Sequence, residues 1–256
     1  MAIVRTKRQQ KLAVKRMISR LVTSAVLGIL IVGCFLGYDY LTKTERLSIS
    51  KVEFTGLTRL DAGELEPLVA DMPGQNILVV PLERYTARFD GHPRIARAEF
   101  KRILPNRVVC KVEEREPVAL VYTNKFVEVD RSGMIMTVDR LTDMLDLPII
   151  TGLLAQDVPE GRVCTDPRLK DALGALSVCK RYGAGFADDI SELRIETSGL
   201  NIVSLKDAVV LRVGGREYET RLKRFFLMKG TIESKKTSTK VIDLRFDDQV
   251  VLRAEI

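Results

Sequence analysis

The sequence predicts an α+β protein in which a single N-terminal transmembrane helix precedes a small mixed domain and a larger domain of mostly antiparallel strands with flanking helices. An uncharged apolar run near the N-terminus predicts the helix. The order strand, helix, helix, strand, strand predicts the small domain, and short alternating strands separated by turn residues predict the large one. The predicted limits are 1–20 for a basic tail, 21–41 for the transmembrane helix, 47–116 for the small domain and 117–256 for the large domain.

The membrane helix is predicted from Leu21–Tyr38, which contains no charged side chain. As an α-helix this run is about 27 Å long, close to the thickness of the hydrocarbon core of a bilayer. A cleaved signal peptide is the alternative, but it would have a shorter apolar core and a following small-x-small cleavage site. The run continues into YDYLTKTERL without such a site, so the sequence favours an uncleaved anchor.

The positive charge of the chain is concentrated at its N-terminus. The formal net charge is +7, and the first 20 residues contain seven basic and no acidic side chains. The remaining 34 basic and 34 acidic residues cancel, which removes any global attraction to nucleic-acid phosphates. Because all seven cations precede the apolar run, the positive-inside rule predicts a cytoplasmic N-terminus and an exported segment from residue 42 onwards.

The four cysteines are assigned mainly to apolar environments. Cys34 lies in the membrane helix, Cys110 is on a predicted alternating strand, and Cys179 is on the apolar stripe of a predicted helix. A disulfide between Cys164 and Cys179 stays open for an oxidising compartment, although the core assignment of Cys179 is favoured. There is no C-x-x-C spacing in the sequence, so we do not expect a cysteine metal site.

The small domain is predicted from local start and stop signals. Ile49–Phe54 alternates as a strand, Asp61 and Glu64 form an acidic capping box at the start of a helix, and Pro81 suits the first turn of a second helix. Two further alternating segments form a hairpin around a proline turn. The predicted apolar core consists of Val52, Phe54, Leu65, Leu78, Leu82, Phe89, Phe100 and Val112.

These segments resemble the POTRA domain of the FtsQ/DivIB cell-division proteins. The resemblance is carried by ISKVEFTG, GQNILVVPL and HPRIARAEFKRILPNRVVCKVEEREPVAL, in that order. Its most specific part is A-x-F-x-R-x-L-P-N-R followed by V-x-E-R-E-P-V-A; Ile103 and Leu104 stand where an aromatic residue is common in the family. The final VIDLRFDDQVVLR resembles the C-terminal strand of the same family. The positions that match the POTRA motif are Gly56, Arg102, Pro105, Asn106, Glu114 and Pro117.

The sequence gives no support for catalysis. His92 is the only histidine, whereas histidine-based triads and metal clusters require further partners. The acid pairs are adjacent in sequence, so on strands their side chains point to opposite faces. Gly214-Gly215 lacks the rest of a phosphate-binding loop. We therefore predict no catalytic residue, no metal, no cofactor and no small-molecule substrate.

A binding function is predicted for the C-terminal strand, taken as Val241–Leu252. A strand at a sheet edge can accept a partner strand by β-augmentation, whereas the pattern alone favours an enclosed strand. The resemblance implies the edge, because FtsQ/DivIB proteins hold the periplasmic parts of the FtsB and FtsL coiled-coil partners with this region. Whether Val250 or Val251 turns its N–H outward stays open. The predicted partner-binding residues are Arg245, Phe246, Asp248, Val250, Val251 and Leu252.

The resemblance implies a non-enzymatic scaffold of the division septum, anchored in the inner membrane, that links early and late components of septal peptidoglycan synthesis. An alternative is a POTRA-type chaperone or transport module, which would predict repeated POTRA units or a membrane barrel. An anchored envelope enzyme is a third reading, and the missing acid–base groups oppose it.

Overall fold

The computed structural model describes residues 7–138, 146–205, 209–215, 217–234, 240–246 and 249–253. The chain divides into two compact units. The smaller unit contains the N-terminal part to residue 89 together with 97–112, and the larger contains 90–96 and the chain from 113 onwards.

The N-terminal helix, α1, runs over Lys7–Lys43. Its stretch Met17–Lys43 is 27 residues long, is apolar enough to cross a membrane, and is not buried against the rest of the chain. The uncharged side chains of this stretch, such as Leu30 and Phe35, are exposed. Exposed apolar side chains over this length are typical of a segment surrounded by lipid.

The smaller unit is built on a three-stranded sheet with the order β1-β3-β2. Strand β1 covers Lys51–Thr55 and lies parallel to β3 at Arg107–Glu114, while β2 covers Ile95–Ile103. Between β1 and β2 come helices α2 (Ala62–Val69) and α3 (Leu82–Asp90). This is the predicted β-α-α-β-β order, and it confirms the fold class of this part.

The core of the smaller unit is centred on aromatic side chains. Phe89 is fully buried and meets the ring of Phe100 edge to face, with 5.2 Å between the ring centroids. The prediction that Leu78 belongs to this core is wrong, because its side chain is 43% exposed. The side-chain oxygen of Asn76 accepts a hydrogen bond from the Leu78 N–H at 2.9 Å and forms a turn, in which Ile77 takes the buried position.

The larger unit contains a mixed sheet of nine described strands in the order β12-β11-β10-β9-β8-β7-β4-β5-β6. Five of its eight pairings are antiparallel, which confirms the prediction of a mostly antiparallel sheet. The strands are β4 (Pro117–Tyr122), β5 (Phe126–Asp130), β6 (Ile135–Thr137), β7 (Ile149–Thr151), β8 (Ile190–Glu196), β9 (Gly199–Ser204), β10 (Val209–Gly214), β11 (Val241–Asp243) and β12 (Val251–Arg253).

Three helices accompany this sheet: α4 (Pro167–Tyr182), α5 (Ala184–Ala187) and α6 (Tyr218–Ser234). Helix α4 begins with two local start signals: the side chain of Asp166 accepts a hydrogen bond from the Arg168 N–H at 2.8 Å, and a proline stands in the first turn.

The cysteines of the larger unit are free thiols. Cys179 on α4 is fully buried, and burial raises the pKa of its thiol to about 12. Cys164 is also buried, and its thiol donates to the carbonyl oxygen of Asp157 at 3.1 Å. Both side chains therefore pack as small apolar groups in this structure.

Candidate partner-binding edge

The predicted single strand over Val241–Leu252 is wrong, because the structure divides it into two. Strand β11 ends at Asp243, and the chain returns as β12 from Val251, antiparallel to β11. In the register of the pair, Asp243 lies opposite Val251 and Ile242 lies opposite Leu252.

The break between the strands follows from a hydrogen bond within the chain. The backbone N–H of Arg245 donates to Oδ1 of Asp243 at 3.2 Å, and the Arg245 guanidinium also binds that carboxylate. A side chain that bonds the backbone two residues later competes with a strand ladder. On the β10 side pairing still reaches Leu244, whose N–H donates to the Arg212 carbonyl at 2.9 Å. Arg245 therefore leaves the sheet.

Strand β12 is one edge of the nine-stranded sheet, and among the described strands it pairs only with β11. The opposite edge, β6, is covered by the chain that precedes α4. There the N–H of Ile135 donates to the Arg162 carbonyl at 3.0 Å, and the N–H of Gly161 donates to the Ile135 carbonyl at 3.0 Å. The two edges thus differ, because one is closed by the protein itself.

The hydrogen bonds of β12 reveal which of its backbone groups face outward. The carbonyl of Arg253 faces the β11 side, since it accepts a hydrogen bond from the Lys240 N–H at 3.1 Å. The backbone N–H and carbonyl groups of successive residues point to alternate sides of a strand, so those of Val251 also face β11. The N–H and carbonyl of Leu252 then face away from β11, on the side where no described strand pairs with β12.

The predicted partner-binding residues include apolar side chains that are partly exposed. Val250 and Leu252 are partly buried against the core of the larger unit. Phe246 is 39% exposed, and its carbonyl accepts a hydrogen bond from Nη1 of Arg224 on α6 at 2.9 Å. Among the predicted partner-binding residues, Asp248 lies outside the described residues, and Arg245 is already bound to Asp243.

Asp243 is the residue that sequence reasoning missed here. Its side chain has no exposed surface, and hydrogen bonds from Arg245 lower its pKa despite burial. The guanidinium of Arg253 lies 3.9 Å from Oδ2 of the same carboxylate. A signal was present in the sequence, because an acidic residue inside the apolar run VIDL stands two residues before an arginine.

Two residues of the POTRA motif have clear structural roles. Gly56 has a φ of +85°, and a Cβ on it would lie 2.3 Å from the carbonyl oxygen of Val112. Only glycine fits such a position. Arg102 donates from Nε to the Ile77 carbonyl at 2.7 Å and from Nη2 to the Val80 carbonyl at 2.8 Å. It thereby holds the segment that leads into α3.

The other motif residues lie in the connections of the strands. Pro105 and Asn106 form the turn between β2 and β3, where the Asn106 carbonyl accepts a hydrogen bond from the Ser50 N–H at 2.9 Å. Glu114 is the last residue of β3, and Pro117 is the first of β4, opposite Asp130. Four of the six motif positions lie in the smaller unit, whereas Glu114 and Pro117 lie in the larger unit. None of the six is near β12 in sequence.

The geometry of β12 is suited to binding an extended chain. The edge offers backbone donors and acceptors in an extended arrangement, beside partly exposed apolar side chains. Across the residues that the structure describes, no group of three or more His, Cys, Asp or Glu side chains is placed to hold a metal ion.

Comparison with known proteins gives two family matches. Residues 47–115 match the family described as "POTRA domain, FtsQ-type", and residues 119–245 match "Cell division protein FtsQ/DivIB, C-terminal". Together these matches cover more than half of the chain.

Curated relatives agree over most of the length. The "Cell division protein FtsQ" of Syntrophotalea carbinolica is 27% identical over 233 residues, which cover 90% of this chain and 82% of the relative. The protein of the same name from Myxococcus fulvus is 28% identical over 217 residues, covering 85% and 76%. That of Geobacter sp. strain M21 is 24% identical over 217 residues, covering 84% and 79%. With its N-terminal helix apolar enough to cross a membrane, its POTRA domain and its C-terminal sheet, the chain belongs to the FtsQ/DivIB family of cell-division proteins.

Proposed function

We propose that the protein is a non-enzymatic scaffold of the division machinery that captures a partner strand at the open edge of β12. The observation that carries the proposal is the difference between the two edges of the sheet. Strand β6 is covered by 161–163, whereas β12 leaves the backbone of Leu252 on its outer side. An edge of this kind accepts an added strand through main-chain hydrogen bonds, and neighbouring side chains supply specificity.

The proposed partners are the periplasmic parts of FtsB- and FtsL-type coiled-coil division proteins. In this proposal Phe246 adds an apolar anchor to the ladder, since its side chain is partly exposed in the segment that connects β11 to β12. Arg245 acts indirectly, because its guanidinium is held by Asp243 and fixes the end of β11. The captured strand would link early components of the septal peptidoglycan machinery to late ones.

We also propose an orientation in the inner membrane. The tail 1–20 would lie in the cytoplasm, 21–41 would span the membrane, and the domains 47–116 and 117–256 would lie in the periplasm. Support comes from the seven cations that precede the apolar run. Reporter fusions at residue 5 and residue 256 should report opposite compartments, and a mature chain that begins near residue 42 would contradict the uncleaved anchor.

Two substitutions at Leu252 distinguish the backbone contribution to partner binding from the side-chain contribution. Leu252→Pro removes the outward N–H and blocks ladder pairing on that side. Leu252→Ala shortens the same side chain but keeps the N–H, so it is the matched control. We expect the full chain in detergent micelles to lose capture of the coiled-coil partners with proline and to retain most of it with alanine. If both variants stay folded and bind alike, partner capture does not use this ladder.

A further inference from the structure

A cleft of about 790 Å³ lies along α4 in the larger unit. One wall is a face of this helix, and the other is formed by the turn after β5 and by residues 163–165. The described residues of β11 and β12 do not line it, so the cleft is separate from the proposed partner edge. Its volume falls within the range of sites that enclose small molecules, about 300–1,000 Å³.

The lining of the cleft is strongly basic. Arg131, Lys170, Lys180 and Arg181 contribute cations, and no aspartate or glutamate contributes to the described lining. The positive charge of Arg181 is partly balanced by Glu219. The pKa of Glu219 is lowered mainly by a hydrogen bond from Lys223, and the charge of Arg181 contributes to the same shift.

Three of these cations lack counter-ions in the part of the chain that the structure describes. Arg131, Lys170 and Lys180 take part in no ion pair there. Other arginines of the same unit are paired, such as Arg168 with Asp166 at 2.7 Å and Arg194 with Glu192 at 2.7 Å. Cations gathered around one concave surface repel one another, and a bound anion would relieve that repulsion.

The floor of the cleft is apolar. Leu169 and Leu176 of α4 are almost completely buried, and Leu173 packs against the same core from a less buried position. Their spacing places all three on the side of α4 that forms this wall, together with Lys170. Leu169 and Leu176 expose almost no surface, so the apolar surface open to a ligand comes from Leu173 and from Val163, whose side chain is 46% exposed. A ligand that used only the charged rim would leave this surface in water, so the cleft suits a molecule with both an acidic and an apolar part.

The hydroxyl group of Tyr218 is a further polar group at the cleft, and it packs against a glycine of α4. Gly174 lies against the ring of Tyr218, and a Cβ on Gly174 would lie 2.2 Å from the tyrosine hydroxyl oxygen. Both residues line the cleft. The Tyr218 hydroxyl has no hydrogen-bond partner among the described residues, so it is free to donate to a ligand.

We propose that this cleft binds a free amphipathic anion, a small molecule whose apolar body covers Leu173 and Val163 and whose acidic head is bound by the surrounding cations. The same protein would then carry a ligand site on α4 in addition to its strand-binding edge. The ligand would be bound and released without a covalent step.

Two probes that differ in one charged group test the assignment. Anilinonaphthalene sulfonate has an apolar body and one acidic head, and phenylnaphthylamine is the same molecule without the sulfonate. We expect the full chain in uncharged maltoside micelles to bind the sulfonate saturably above the micelle background. Lys170→Gln/Lys180→Gln should weaken that binding by about tenfold or more, because two of the cations are lost. Binding of phenylnaphthylamine should not change.

Two further variants control for net charge and for the apolar floor. Lys101→Gln/Lys111→Gln removes the same charge from exposed positions on β2 and β3 and should leave both probes unaffected. Ser177→Trp, at an exposed position of the lining, fills the cleft without changing its charge and should abolish binding of both probes.

Three results would overturn the proposal. One is equal binding of the sulfonate by the wild type and by Lys170→Gln/Lys180→Gln. Another is equal affinity of the wild type for the charged and the uncharged probe. The third concerns displacement of the bound sulfonate probe by a competitor. If a hexaglutamate peptide displaces it at a lower concentration than naphthalene sulfonate does, the cleft binds an acidic chain segment instead.

Discussion

The carboxylate of Asp243, which has no exposed surface, accepts hydrogen bonds from Nε and Nη2 of Arg245 at 2.9 and 2.7 Å. The backbone N–H of Arg245 adds a third bond at 3.2 Å. These contacts end β11 and fix the point from which the chain turns back to form β12. The proposed partner edge therefore depends on a buried carboxylate, Asp243, whose counter-ion lies two residues further along the chain.

We expect Arg245→Ala to destabilise the larger unit by about 1–3 kcal/mol, because it leaves the buried carboxylate without its main partner. Arg194→Ala is the matched control. Arg194 binds Glu192, also two residues away and also through Nε and Nη2, but 24% of the Glu192 side chain is exposed. The control should cost about 1 kcal/mol or less. Denaturant melts measure both values, and equal losses would contradict the role assigned to burial.

The interaction of Asp243 with Arg245 also predicts that the stability of the larger unit depends on pH. Hydrogen bonds from Arg245 hold the pKa of Asp243 below its usual value, so the folded state binds this proton more weakly than the unfolded chain does. The resulting stability is fully present above the unfolded pKa of about 4 and is lost as the pH falls through the lower folded pKa. Asp243→Asn should be less stable than the wild type at neutral pH, and the difference should shrink in melts at pH values below about 4. A difference that stays constant across this range would contradict the assignment.

Gly56 tests the packing of the smaller unit. Gly56 and Gly74 have nearly the same backbone angle, with φ of +85° and +87°. A Cβ at Gly56 would meet the Val112 carbonyl oxygen, whereas nothing lies within 4 Å of a Cβ at Gly74. Gly74→Ala should therefore cost only the conformational penalty of about 1–2 kcal/mol. Gly56→Ala should cost clearly more in the same denaturant melts, and equal costs would mean that β1 and β3 adjust freely around the added methyl group.

Phe89 tests the core of the same unit. Phe89→Ala should cost about 3–5 kcal/mol, because its ring is fully buried and contacts the rings of Phe54 and Phe100. Phe100→Ala should cost less, since that residue is only half-buried. Leu78→Ala, at an exposed position, should stay within about 0.5 kcal/mol of the wild type. A large loss for Leu78 would restore the core assignment that the sequence suggested.

Local signals were sufficient to predict most of the elements. The acidic capping box predicted at Asp61 depends on neighbouring residues, and the structure contains it. The Asp166–Pro167 helix start and the turn at Gly56 depend equally on local chemistry. The uncharged run at Leu21–Tyr38 likewise lies inside α1. Such features depend on chemistry within a few residues, so they can be read directly from the sequence.

The errors arose where distant contacts or buried charges decide the outcome. The strand over Val241–Leu252 looked continuous, because its alternation does not reveal that Asp243 is buried and bonded to the Arg245 backbone. Leu78 and Ile77 differ by one residue in phase, and the turn at Asn76 selects Ile77 for the core. Which backbone N–H faces outward on β12 depends on pairing with β11, which the sequence does not contain.

Amide hydrogen exchange on the two neighbouring residues of β12 tests the central proposal most directly. In the free protein the Val251 N–H faces β11, whereas the Leu252 N–H faces the open edge. When the periplasmic segment of an FtsB-type partner binds, exchange at Leu252 should slow by about 100-fold or more, while exchange at Val251 should change less. Unchanged exchange at Leu252 in the complex would contradict strand addition at β12.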